Sequence, residues 1–120
     1  MTKKILIVDD DPNIISYLTD ILGDNGYETC SANGGREALE VARREKPDLI
    51  TLDLEMPEEW GPRFYRRLSN DPEIKNTPVI VISGLSGNKY AIQKAVASVS
   101  NPFDRDELLR IVKDTLDDAE

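Results

Sequence analysis

Short, unbroken apolar runs constrain this chain more than any other feature. Ile5-Leu6-Ile7-Val8 and Val79-Ile80-Val81-Ile82 are continuous, and Leu49 to Leu52 is nearly so. Runs of this length and continuity suit strands buried on both faces, as in a parallel sheet covered by helices on either side.

The segments between the runs carry helical spacing. Asp11-Pro12 reads as a cap followed by Pro at the first helical position, and Ile14, Ile15, Leu18, Ile21 and Leu22 recur on one face until Gly23 to Gly26. A weaker strand follows at Tyr27 to Ser31. A second helix from about Gly35 turns Ala38, Leu39 and Ala42 to one side and stops before Pro47. After the Leu49 strand, a loop from Pro57 to Pro62 leads into a helix bearing Phe64, Tyr65 and Leu68, and Asn70 to Pro78 is a connection rich in turn residues. Beyond the fourth strand, a short helix around Asn88 to Lys94 and a fifth strand near Val96 to Val99 are expected. The last helix starts at Asp104, where Glu107 completes a capping box and Leu108, Leu109, Ile111, Val112 and Leu116 form the buried face.

Strand then helix, five times over in 120 residues, implies right-handed crossovers and one α/β domain spanning 1–120. The natural architecture at this size is the flavodoxin-like doubly wound (βα)5 fold, a five-stranded parallel sheet in the order 2-1-3-4-5. Ligands then bind beyond the carboxyl ends of the strands.

Composition narrows the chemistry. A net charge of −8 argues against nucleic acid as a partner. The apolar runs are too short to cross a bilayer and the N-terminus has no signal-peptide core, so no membrane is expected and a cytoplasmic location is the default. The single cysteine, Cys30, forms no internal disulfide and reads as a small buried side chain. The absence of histidine removes imidazole metal sites, Ser-His triads and any role as a phosphohistidine carrier. Carboxylates must do the chemistry.

The strand ends supply them. The first strand ends in Asp9-Asp10, with Asp11 next as the cap before Pro12; the third ends in Asp53; the fourth ends in Ser83-Gly84; the fifth ends near Asn101-Pro102. In the expected order the first and third strands are neighbours, which gathers Asp9, Asp10 and Asp53 around one crevice. Such carboxylates repel one another unless a cation joins them, and octahedral Mg²⁺ suits an all-oxygen site that keeps several waters. A phosphoryl oxygen can replace one of those waters.

The stretches "ILIVDDDP", "DLITLDLEMP" followed by Gly61, "PVIVISG" and "NPFDRDELL" together resemble the receiver domain of two-component response regulators, in order and across essentially the whole chain. The resemblance implies that Asp53 is the phosphoacceptor, attacking a phosphohistidine on a sensor histidine kinase or a histidine phosphotransfer protein. It implies Asp10, Asp53 and the backbone carbonyl of Glu55 as direct Mg²⁺ ligands and Asp9 as a ligand through water. Ser83 stands at the family's switch hydroxyl. Acyl-phosphate formation on a carboxylate is chemistry of positioning and charge neutralisation, which fits these roles.

The resemblance breaks in one region. Receivers usually carry Lys-Pro-Phe after the fifth strand, and here Asn101 takes the place of that Lys; Asn donates a hydrogen bond but brings no positive charge. The segment between Ser83 and Asn101 is shorter than usual by about one helical turn, and Ser98 occupies the place of a switch aromatic. Lys89, within that segment, is a candidate replacement for the missing charge. Glu55 lies where receiver side chains tune dephosphorylation, and Trp60 follows in the same loop.

Nothing but Asp117-Asp118-Ala119-Glu120 follows the buried face of the last helix, so the expected protein is a stand-alone phosphoacceptor with no output domain, acting on an unknown downstream protein by contact. It is a signalling domain rather than an enzyme. The competing reading is a pseudo-receiver that binds proteins without phosphorylation. A flavodoxin-like cofactor binder fits poorly, because Asp9, Asp10 and Asp11 would repel a phosphate in the first loop.

Overall fold

The computed structural model describes residues 2–53, 60–83, 97–100 and 105–118. In chain order these form β1 (Lys4–Val8), α1 (Pro12–Asp24), β2 (Glu28–Ala32), α2 (Gly35–Glu45), β3 (Leu49–Asp53), α3 (Trp60–Ser69), β4 (Val79–Ser83), β5 (Ala97–Ser100) and α4 (Arg105–Asp118). The strands make one sheet in the order β2-β1-β3-β4-β5, every neighbouring pair parallel. This is the flavodoxin-like topology that the apolar runs imply.

Period-two alternation explains why those runs are continuous. Leu6, Val8, Ile50, Leu52, Val79 and Val81 face one layer, packed with Leu39, Ala42, Phe64 and Leu68 of α2 and α3. Ile5, Ile7, Leu49, Ile80 and Ile82 face the other, packed with Leu18 and Leu22 of α1 and Leu108, Val112 and Leu116 of α4. Each residue of these runs is buried by one layer or the other, so no polar alternation survives in them. On α1 and α4 the flanking Ile14, Ile15, Leu109 and Ile111 are only partly buried, at the margins of the apolar stripe.

Some boundaries differ from the sequence reading. β2 starts one residue later, because Tyr27 is still part of the turn: its N–H donates to Leu22 O at 3.1 Å, after Gly26 at φ 88°. α3 begins at Trp60, so Pro62 lies in its first turn instead of closing the preceding loop. The first N–H groups of a helix have no acceptor within it, and Pro is tolerated there. Cys30 is half-buried, since β2 is an edge strand covered by one neighbour; burial pushes its thiol pKa up, in keeping with an unreactive side chain. The expected helix over Asn88 to Lys94, the Asp104 cap and the side chains of Trp60 and Tyr65 lie outside the described residues.

Candidate functional site

The carboxyl ends of β1 and β3 build the site. The two strands pair in parallel with Val8 opposite Leu52, so the next residues, Asp9 and Asp53, emerge side by side. Carboxylate oxygens of Asp9, Asp10 and Asp53 all lie within 4.8 Å of one another. Asp9 is buried, Asp53 half-buried and Asp10 exposed, so the cluster runs from the floor of the crevice to its mouth.

Local backbone chemistry fixes the floor. Asp9 N–H donates to Ala32 O at 3.2 Å, which prolongs the β1–β2 pairing by one residue. Asp11 N–H then donates to Asp9 Oδ1 at 2.9 Å, and Asp11 Oδ1 accepts from Asn13 N–H at 2.9 Å as the cap of α1. Asp11 is therefore the cap that the Asp-Pro pattern predicts. Its backbone also holds the Asp9 carboxylate, a role the sequence pattern did not disclose; the Asp-x-Asp spacing ahead of a helix is the signal that carries it.

Electrostatics make the cluster costly. Burial is the largest influence on Asp9 and raises its pKa from the ordinary 3.8 to about 7; the Asp11 N–H bond opposes this, while the charges of Asp53, Asp10 and Asp11 add to it. A buried carboxylate pressed by neighbouring carboxylates is a donor set that a hard divalent cation relieves, by ion pairing and by replacing lost hydration. The residues present fit Mg²⁺ on that ground.

Ser83 is the last residue of β4, one step beyond Ile82, which pairs with Asp53. Ser83 pairs with Ser100, so the chain position following β5 is that of Asn101. The fold thus brings the ends of β1, β3, β4 and β5 to one edge. Asn101, Glu55, Lys89 and the main chain after Asp53 lie outside the described residues, so the expected Glu55 carbonyl ligand, the Asn101 departure and the Lys89 replacement are proposals of sequence alone. One polar residue escaped the sequence reading. Thr51 is buried on β3 two residues before Asp53, and its Oγ1 has no hydrogen-bond partner among the described residues.

A family model described as the response regulator receiver domain matches residues 5–113, and the chain belongs to that family, whose members are signalling domains. Among curated proteins, Protein Rrf1 of Nitratidesulfovibrio vulgaris is 37% identical over 112 residues, covering 93% of this chain and 81% of that protein. The polar-differentiation response regulator DivK of Brucella ovis is 32% identical over 123 residues, covering 99% of this chain and all of DivK. Among solved structures, the receiver domain of a sensor histidine kinase from Pseudomonas aeruginosa PAO1 superposes with a TM-score of 0.87 at 25% identity, covering 97% of this chain and 98% of that one. That domain was crystallised with a magnesium ion coordinated in its active-site cleft. Among the described residues of the present chain, no helix is long and apolar enough to cross a membrane.

Proposed function

We propose that this chain is a stand-alone phosphoacceptor, taking a phosphoryl group on Asp53 from a phosphohistidine of a sensor kinase or phosphotransfer protein. The observation that carries the proposal is the clustering of Asp9, Asp10 and Asp53 at the joined ends of β1 and β3 in a receiver-family chain. Full-length correspondence with DivK supports the stand-alone assignment.

In the transfer, a carboxylate oxygen of Asp53 attacks phosphorus as the P–N bond to the partner imidazole breaks, and the bonding pair leaves with that nitrogen. Asp10, Asp53 and the carbonyl of Glu55 would hold Mg²⁺ directly and Asp9 through water. When bound, the ion supplies charge neutralisation for the phosphoryl oxygens. Asp9 contributes as an anchored, buried anion: the Asp11 N–H bond fixes its orientation, so little rearrangement is needed when a cation arrives. Ser83 is assigned the hydroxyl that meets the transferred group. Asn101 offers a neutral amide where the family has an ammonium, so more of the phosphoryl charge falls to the metal.

The signal then passes by protein contact to a downstream partner, in the cytoplasm. The test is incubation of the protein with a small phosphodonor and Mg²⁺, read by intact mass. Wild type is expected to gain one phosphoryl adduct, Asp53→Ala none, and Asn101→Lys an adduct of altered lifetime. A wild-type protein that stays unmodified under conditions that load a known receiver would favour the phosphorylation-independent binding module instead.

A further inference from the structure

The chain contains two Asn-Gly pairs, Asn25-Gly26 and Asn33-Gly34, and both asparagines are exposed. An asparagine followed by glycine is open to attack by its own main chain, because glycine has no Cβ to crowd the next amide nitrogen. A Cβ built at Gly26 or at Gly34 would meet nothing within 4 Å, so open space does not separate the two pairs. Hydrogen bonding does.

Asn25 caps the end of α1, and both nitrogens that the reaction involves are in use there. Its side-chain Nδ2 donates to Ile21 O at 2.7 Å. Gly26 N–H, which would supply the attacking nitrogen, donates to Gly23 O at 3.1 Å, in a turn that sets Gly26 at φ 88°. Asn33-Gly34, between β2 and α2, is held far less. Gly34 is the N-cap of α2 and has no side chain to bond the first turn. Glu37 stands where a capping-box carboxylate would bond the cap N–H, but its Oε1 accepts instead from Asn33 N–H, at 3.3 Å. Gly34 N–H and the Asn33 side-chain amide therefore have no hydrogen-bond partner among the described residues.

We propose that Asn33 is a site of spontaneous deamidation, in a fold that protects Asn25 from the same reaction. Hydroxide takes the proton of Gly34 N–H, and the nitrogen attacks Cγ of Asn33 to close a succinimide ring. The Cγ–Nδ2 bond breaks, and the side-chain nitrogen leaves as ammonia after taking a proton from water. Water then opens the ring at either carbonyl. One opening gives aspartate; the other gives isoaspartate, in which the main chain runs through the former side chain. Either product replaces a neutral amide by a carboxylate. The change falls at the carboxyl edge of the sheet, since Asn33 follows Ala32, whose carbonyl accepts Asp9 N–H at 3.2 Å. Deamidation thus adds negative charge to the edge that carries Asp9, Asp10 and Asp53, one residue from the contact that holds the Asp9 main chain.

The test is ageing of the full-length protein at mildly alkaline pH, with peptide mapping by mass spectrometry for aspartate and isoaspartate at both positions. The bonds that must open first at Asn25 set the expected contrast: Asn33 should convert faster by about tenfold in the folded protein. In strong urea the two sites should convert at similar rates, because glycine follows both. Asn33→Gln should remove the fast conversion and leave the slow one at Asn25. Equal rates at the two sites in the folded protein would overturn the proposal. So would a contrast that persists undiminished in urea, which would assign it to local sequence and not to the fold.

Discussion

The two ends of the sheet handle charge in opposite ways. At the carboxyl end, Asp9, Asp10 and Asp53 crowd together, and the buried member of the group resists ionising. At the amino end, charges of opposite sign are matched: Lys4 Nζ lies 2.9 Å from Glu45 Oε1, and Arg43 is clasped by Asp71. Each matched partner shifts as pairing requires, Lys4 upward and Glu45 downward, each chiefly through their mutual hydrogen bond. The comparison teaches where stability and function divide. One end ties β1, α2 and the loop after α3 together; the other crowds like charges into a set that a divalent cation relieves.

The shared core sets the scale for breaking this contrast. Ile50, the second residue of β3, is fully buried against the α2–α3 layer and belongs to the core from which both ends extend. Ile50→Ala should cost about 2–5 kcal/mol and lower the urea midpoint whether or not Mg²⁺ is present. If Mg²⁺ restored most of that loss, the two ends would not be sharing one cooperative core.

Next in size is relief at the carboxyl end. Asp9 has a folded-state pKa near 7, above its ordinary 3.8, so the folded state holds the proton more tightly than the unfolded one. Its contribution is therefore fully favourable below about pH 4 and is lost as pH rises towards 7. Asp9→Asn keeps a carbonyl oxygen for the Asp11 N–H and removes the buried charge. The variant should be more stable than wild type by about 1–3 kcal/mol at neutral pH, with little difference near pH 4. It should also lose the stabilisation that Mg²⁺ gives wild type. Equal stability of the two proteins at neutral pH would mean that solvent already screens the cluster.

The same contrast governs how much the sequence discloses. Strand order and the convergence of Asp9, Asp10 and Asp53 follow from apolar runs and strand-end residues, because parallel pairing of short buried strands leaves few topologies. The Arg43–Asp71 clasp is not visible in that pattern: its members lie far apart in sequence, and nothing in either neighbourhood marks a partner. Pro62 misled for a related reason. Proline signals a loop to a local reading, yet the first turn of α3 has no use for the N–H it lacks. The Asp11 N–H bond to Asp9 stands between these cases, since the Asp-x-Asp-Pro string encodes it only once the helix start is known. Local caps, and strand pairings that topology restricts to a few orders, are legible; side-chain contacts between elements distant in sequence are not.

A smaller effect sharpens the account of the amino end. Asp71→Asn retains an oxygen for Glu73 N–H but surrenders the charge that orients Arg43. A modest drop in melting temperature is expected, smaller in magnitude than the gain from Asp9→Asn, and it should shrink in high salt. Asp71 has a lowered pKa, so its stabilising contribution is present above the ordinary carboxylate range and fades as pH falls through it. A wild-type minus variant difference that grew towards acid would reverse this assignment.

The smallest expected effect lies beside those ion pairs. Lys46 caps α2 with φ 48°, a left-handed conformation that L side chains adopt at a cost, and Pro47 follows, further restricting its backbone. Its N–H donates to Ala42 O at 3.0 Å, so the turn is held by the helix end and not by the Lys side chain. Lys46→Gly removes the steric penalty but gives the unfolded chain more freedom, and the two effects partly cancel. A net gain of about 0.5 kcal/mol is expected in urea unfolding, with phosphorylation of Asp53 unchanged. A loss of stability would show that the Lys46 ammonium contributes to the amino end by more than its backbone strain takes away, placing it among the matched charges after all.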